Sequence, residues 1–327
     1  DNSGRALLQE LLVPLPRMVL PLSASPGAPA QGALAIECRA ADAGTIALLQ
    51  AIDDAPTRRA VAAERALLAE RGGGCHQRLG ATQLEVPELG ALLYLREAQE
   101  HDGGLRVGPP QLRWTPATPL PAPVGPVRAW DGSRAPRPPI EMLEAGSAHS
   151  AQRLPCARAL FITHRRALPE GHAAAIPADA HVYVPGVETW RALARQGVWV
   201  EGCAEGLGAA ALEPLLAEPL LQLPALTGWL VYTHVEAANG WRWGEIVATY
   251  RHRALPLPDA ASGGPPEDAT HLYWHSSAQF EQARARLPAG AHHACGPGKT
   301  FEHLCASGVH NLRMFPSPTH WREWLRL

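Results

Sequence analysis

The stretch ERGGGCHQRLGA, residues 70–81, places one cysteine behind three glycines and beside a histidine. A thiol that only packs in a core has no need of three residues without side chains before it. Two readings suit the arrangement. Either Cys75 simply follows a helix stop, or it carries a bulky covalent group that needs room and access. Arg71, His76 and Arg78 would favour the thiolate, the form that attacks an electrophile. Other reactive-looking clusters carry less. GPGKT (296–300) ends like a phosphate loop, but the G-x-x-x-x-G-K-T pattern needs a glycine where His293 stands. HHAC (292–295) has metal-ligand residue types and no second cluster at fitting spacing, so no metal centre is expected. RHR (251–253) reads either as a solvated strand end or as a clamp for an anionic substrate.

The elements that must hold these residues follow from composition and pattern. The chain has 327 residues, 46% hydrophobic, enough for two domains with buried cores. Its formal net charge of −2 argues against a nucleic-acid groove. Lys299 is the only lysine among 29 basic residues, so nearly all positive charge is arginine. Six cysteines form no C-x-x-C pair and no zinc-ribbon spacing, and with no leader in view a reducing cytoplasm is the default expectation. No apolar run reaches the roughly 18 residues that span a bilayer, and no leader pattern opens the chain. The start at Asp1 suggests part of a longer polypeptide.

Along the chain, 17–24 and the end of 27–39 read as strands. Residues 42–68 read as helical, with Thr57 as a cap, Val61, Leu67 and Leu68 on one face, and Gly72–Gly74 as the stop. ATQLEV and ALLYLREA read as strands, followed by the turn signal HDGG. Ten prolines between Pro109 and Pro139 mark a linker and domain boundary. Beyond it lies a weak repeat. ALFITHRRAL (159–168) precedes VPGVETWRALARQGVWV (184–200), and LYWHSSAQF (272–280) precedes CGPGKTFEHLCASGV (295–309). His164 to Thr189 is 25 residues and Ser276 to Thr300 is 24. Each copy reads strand, turn, helix, strand, glycine turn, helix: an α/β pattern with parallel sheet, one copy per lobe.

PAQGALAIECR, TRRAVAAERALLAERGGGC and the following LGA resemble, in order and spacing, the C-terminal third of hydroxymethylbilane synthase (porphobilinogen deaminase), over residues 26–105. Two departures are Ala30 for a family glycine and Arg78 for a family proline. The resemblance implies that Cys75 forms a thioether to a dipyrromethane cofactor, with Gln31 and Gly32 against that cofactor. It also implies that the family's catalytic aspartate and carboxylate-binding arginines would precede residue 17, so the deaminase part is expected to be an incomplete fragment.

The second half resembles uroporphyrinogen-III synthase over residues 157–327. ITHRRAL with GVETWRALARQG looks like the family's first motif, and WHSSAQF with GPGKTFEHLCASG its second. GEIVATYRHRALP (244–256) resembles the strand carrying a cleft-facing tyrosine, here Tyr250. His164, Trp274 and His275 depart from the family's usual residues. The resemblance implies a cyclisation of hydroxymethylbilane without metal or cofactor: loss of a hydroxyl to an azafulvene, attack at a substituted pyrrole carbon, inversion of the last ring and closure. The expected site residues are Thr163, Thr189, Tyr250, Ser276, Ser277 and Thr300. Each hydroxyl has helix capping as its alternative, and Tyr250 an ordinary strand role.

The expected organisation is an α+β cofactor domain followed by a two-lobed α/β module with parallel sheets. Residues 1–40 are read as remnant strands of preceding deaminase domains, 41–108 as the cysteine domain, 109–156 as a Pro-rich linker, and 157–327 as the synthase-like module. The substrates are expected to be porphobilinogen and hydroxymethylbilane, with neither nucleic acid nor membrane as partner. A non-catalytic tetrapyrrole- or partner-binding module is the alternative.

Overall fold

The computed structural model describes residues 2–12, 15–74, 76–136, 138–238, 240–253 and 263–326. The chain divides into two compact units, Pro21–Pro121 and a second formed by Asp1–Leu20 with Ala122–Leu327. Helix α1 (Asn2–Leu12) belongs to the second unit, where Gln9 Nε2 donates to the carbonyl of Pro219 at 2.9 Å.

In the first unit, α2 (Ala43–Gln50) and α3 (Ala55–Glu70) precede the strands β1 (Leu79–Val86), β2 (Gly90–His101), β3 (Gly104–Val107) and β4 (Gln111–Pro116). The long β2 is central and pairs antiparallel with the other three. Helix α3 packs Leu67 onto Leu79, Ala81, Leu93 and Leu95. Two aspartates divide the helical stretch expected over 42–68. Asp42 caps α2 and Asp54 caps α3, accepting the Thr57 N–H at 2.7 Å. Thr57 is thus the third residue of α3 rather than its cap, because a carboxylate three residues earlier already holds that N–H. The expected strands over 17–24 and 33–39 are irregular chain. Leu34 is 98% exposed and Ile36 61%, and neither segment forms part of a sheet.

The second unit contains two sheets. β5 (Ala129–Trp130) and β6 (Ile140–Met142) lie in the stretch read as linker, as does α4 (Glu144–Arg153). The prolines there sit mostly between these short elements, where no ladder N–H is needed. Next come β7 (Ala159–Ile162), β8 (His181–Val184), α5 (Val187–Ala194), β9 (Gly202–Cys203) and α6 (Glu213–Leu216). β10 (Trp229–His234), α7 (Val235–Ala238) and β11 (Glu245–His252) complete the first lobe. Its sheet order is β6-β11-β10-β7-β8-β9, parallel except for the edge strand β6. Alternate residues bury on opposite faces: Leu160, Ile162, Val182 and Tyr232 on one, Phe161, Tyr183, Trp229 and Val231 on the other. Burial on both faces explains why these strands read as unbroken apolar runs.

The second lobe is built from β12 (His271–Trp274), α8 (Ser277–Ala283), β13 (His292–Cys295), α9 (Lys299–Ala306), β14 (Leu312–Met314) and α10 (Pro318–Leu325). Its parallel sheet runs β14-β13-β12-β5. The repeat is imperfect. Where the second copy has α8, the first has only a 3₁₀ turn at His172–Ala175 between β7 and β8. Pro169, Gly171 in a left-handed conformation and Pro177 leave no room for a longer helix there. The lobes meet backbone to backbone. A Cβ built on Gly208 would lie 3.0 Å from Gly298 Cα, and the reverse holds. Lys299 Nζ donates to Gly240 O at 2.7 Å and sits over the Trp241 ring.

Candidate functional site

The first unit organises its site around a glycine stop. Helix α3 ends at Glu70, and the Gly73 N–H donates back to Leu68 O at 2.9 Å. Gly72, Gly73 and Gly74 have φ of 93°, 69° and 86°, three consecutive left-handed residues that only glycine adopts without strain. Cys75 itself lies outside the described residues. The arginines expected to favour its thiolate have carboxylate partners. Arg71 pairs with Glu97 at 2.8 Å and Arg78 with Glu100 at 2.6 Å, which divides their charge between two acceptors.

Gln31 and Gly32 lie exposed on a turn fastened to the sheet. The Gln31 N–H donates to Ala28 O at 3.0 Å, and Gly27 pairs with Thr82 and Ala81 of β1. Gly80 allows this approach, because a Cβ there would stand 2.5 Å from the Pro26 carbonyl oxygen. Beneath the turn, the buried carboxylate of Glu64 accepts the Ala30 N–H at 2.6 Å and the Gln83 N–H at 2.8 Å. Glu64 was not among the expected site residues. The sequence signal for it is a charged residue three before Leu67 on the buried face of α3.

In the second unit, candidates gather at the carboxyl ends of parallel strands, where loops of open α/β sheets bind ligands. Thr163 follows β7, its N–H donates to Tyr232 O at 3.0 Å, and its buried hydroxyl has no hydrogen-bond partner. Tyr250 lies on β11, 3% exposed, paired in register with His234 at the end of β10. Burial pushes its phenol up to about 12, with the Glu236 charge adding to the effect. Its ring lies 5.5 Å from those of His234 and His252, and 6.2 Å from that of His164. His164, Thr163 and Tyr250 therefore share one corner. Thr189 stands apart, half-buried in the first turn of α5.

The remaining hydroxyls are in the second lobe. Ser276 caps α8, its Oγ accepting the Gln279 N–H at 3.2 Å, and Ser277 opens that helix. Thr300 sits in the first turn of α9, directly after the Gly298 contact with the first lobe. A cavity of about 240 Å³ lined by Arg158, Asp179 and His181 lies at the opposite, amino-terminal ends of β7 and β8 and contains none of these candidates. The expected candidates Thr163 and Tyr250 lie at the strand-end cluster and not at that cavity.

No family model matches the chain. Curated porphobilinogen deaminases do. That of Sphingopyxis alaskensis is 68% identical over 54 residues, 16% of this chain and 17% of that protein. The Mycobacterium leprae protein is 61% identical over 54 residues, again 16% and 17%. The Brevibacillus brevis protein is 58% identical over 62 residues, 19% of this chain and 20% of that one. Part of this chain is similar to porphobilinogen deaminase. The chain spans about a fifth or less of the length of these relatives. Among solved structures, uroporphyrinogen III synthase from Thermus thermophilus aligns over 58% of this chain and 88% of its own, with 16% identity and a TM-score of 0.35. The Helicobacter pylori uroporphyrinogen-III synthetase aligns over 61% and 100%, with 13% identity and a TM-score of 0.36.

The departures from the resembled families have local physical accounts. Ala30, where the deaminase pattern has glycine, is held at φ 62°. Trp274 is fully buried, edge-on to Trp130 at 5.0 Å, and its indole N–H donates to His293 Nδ1 at 3.0 Å. His293 thereby has a structural partner within the HHAC segment. His275 is exposed, with Nε2 2.9 Å from Asp131 O. His234 and Glu236, which flank Tyr250 together with His252, are not among the residues expected from the sequence. The signal was His-x-Glu at a strand end, which spacing alone does not connect to a histidine 16 residues further on.

Proposed function

We propose that this chain serves tetrapyrrole biosynthesis. On this reading Pro21–Pro121 contains the cofactor-bearing part of a hydroxymethylbilane synthase, and residues 157–327 form a module that cyclises hydroxymethylbilane to uroporphyrinogen III. The observation that carries the reading is the 68% identity over 54 residues to a porphobilinogen deaminase. The ordered motifs of the second half, with Thr163 and Tyr250 at the carboxyl ends of parallel strands, support the second activity.

The residues around position 75 suit a bulky adduct. An added Cβ at Gly73 would meet nothing within 4 Å, while one at Gly74 would stand 2.8 Å from the His76 ring, a side chain at the surface that an adduct could displace. Cys75 would hold the dipyrromethane through a thioether, with the turn bearing Gln31 and Gly32 beside it. Bound there, that group supplies the primer on which pyrrole units are condensed.

In the second unit the chain's own task is to hold a flexible, carboxylate-rich substrate with its two ends together, a proximity effect. The N–H groups opening α5, α8 and α9 and the hydroxyls of Thr189, Ser277 and Thr300 would receive carboxylates. Tyr250, kept neutral by burial, would donate a hydrogen bond to the departing hydroxyl while the C–O bonding pair leaves with oxygen. Thr163 has an unpartnered hydroxyl in the same corner.

Incubation with hydroxymethylbilane tests the cyclising activity. Formation of the type III porphyrinogen faster than spontaneous type I product supports it. Type I product alone, with tight binding of the linear substrate, makes the chain a binding module instead. Mass spectrometry for a two-pyrrole adduct on Cys75 tests the other half separately.

A further inference from the structure

His234, Glu236 and His252 come from three consecutive elements, the end of β10, α7 and the end of β11. A register shift after Thr233 pairs His234 with Tyr250, leaving Thr249 as an extra residue on β11. The two imidazoles meet edge to face, with centroids 4.7 Å apart. Glu236 Oε2 is 2.9 Å from His234 Nδ1 and 3.6 Å from His252 Nδ1, while Oε1 accepts the His252 backbone N–H at 3.3 Å. One ligand atom from each side chain lies within 4.8 Å of the other two.

Hydrogen bonding explains only part of this arrangement. His252 Nδ1 is buried and makes no hydrogen bond, although it faces a carboxylate. An ion bound at about 2.0–2.2 Å from nitrogen and oxygen ligands separates them by roughly 3.3 Å in a tetrahedral site. The two Glu236 distances bracket that value. Two neutral imidazoles and one carboxylate form a donor set suited to zinc and its neighbours, with a position left for water. The Glu236 side chain is 47% exposed, which leaves an entry path.

We propose that His234, Glu236 and His252 bind one divalent transition-metal ion, of which zinc is the representative. His234 would present Nδ1 as its lone-pair nitrogen, moving its proton to Nε2, and His252 Nδ1, which makes no hydrogen bond, would gain a bond to the ion. The ion would tie α7 to the ends of β10 and β11 beside Tyr250. The site stands on the geometry of these three side chains and does not depend on the proposed reaction.

The test uses the full chain, stripped with chelator, its exposed thiols blocked, and titrated with zinc chloride in competition with a chromogenic chelator. The expected result is one ion per chain at micromolar affinity or tighter, with a rise in melting temperature and no response to magnesium. Glu236→Gln and His252→Ala should each weaken zinc binding about tenfold or more. Glu281→Gln, at the separate His303–Glu281 pair, should leave it unchanged. Cobalt in place of zinc should give the visible bands of a tetrahedral nitrogen and oxygen site, lost in the same variants. The melting temperature of each metal-free variant checks its folding, and Glu236→Gln preserves shape if His252→Ala does not fold. Absence of binding in the wild type, or binding that survives both substitutions in folded protein, overturns the proposal.

Discussion

Replacing Glu64 by alanine is expected to release the turn carrying Gln31 from the sheet below it. The carboxylate accepts two backbone N–H groups, at 2.6 Å from Ala30 and 2.8 Å from Gln83, and is buried. Removing it leaves both donors without a protein partner. An orphaned buried donor costs about 1–3 kcal/mol, and because Ala30 and Gln83 are half-buried the lower part of that range applies, about 1–2 kcal/mol each. Hydrogen exchange reads this directly. The two amides should exchange about 5- to 30-fold faster in Glu64→Ala, while amides in the centre of β2 change less. Glu64→Gln keeps one acceptor oxygen and turns an NH₂ toward the other N–H, so one amide should recover and the other should not. Asp53→Ala, which removes an exposed 3.0 Å pairing with Arg58, should leave both rates unchanged. Wild-type exchange at Ala30 and Gln83 in folded Glu64→Ala would refute the claim that this carboxylate fastens the turn.

Other expectations concern single sites. Ala30→Gly removes a left-handed non-glycine residue, a conformation costing roughly 1–2 kcal/mol, against about 0.4–1 kcal/mol of added unfolded-state freedom. The net is a stabilisation of about 0.5–1 kcal/mol, measurable by denaturant titration of the first unit's transition. Tyr250→Phe should lower the rate of type III product formation by up to about 10²-fold while leaving substrate affinity close to wild type. An equal loss in binding would make the tyrosine a packing residue. Stability should fall steeply at alkaline pH. Burial pushes Cys203 and Cys295 from an ordinary 9.0 to about 12, and Tyr250 from 10.0 to about 12. The unfolded chain releases these protons from about pH 9 upward while the folded chain keeps them. Their contribution is therefore complete below pH 9 and lost progressively up to about 12. A denaturation midpoint that is flat across that window would contradict the burial of these groups.

The legible parts of the fold were those written in local pattern. The β1–β2 pair and the stop at Gly72–Gly74 follow from alternation and from glycine's conformational range, and the parallel strands from unbroken apolar runs. The illegible parts depended on partners distant in sequence. Residues 33–39 have strand composition but join no sheet, and the two-residue β5 becomes a strand only because β12 lies beside it. Pro169 and Pro177 bracket the missing helix of the first repeat, a signal the repeat analogy overrode. At the candidate site, Tyr250 is an expectation drawn from the resemblance of its strand. His234 and Glu236 are not expected, since their proximity to His252 arises from the pairing of β10 with β11.

The Gly208–Gly298 contact fixes the separation of the two lobes by the thickness of the main chain itself. No smaller residue exists, so mutation can change that spacing in one direction only. Any side chain at either position acts as a wedge, moving the start of α9 away from the turn after β9 and straining the Lys299 anchor to Gly240. Both glycines also hold φ near 90°, where other residues are strained, so even alanine would distort the turn as well as pry it open. The geometry that brings Thr300 toward the first lobe thus rests on two absent side chains.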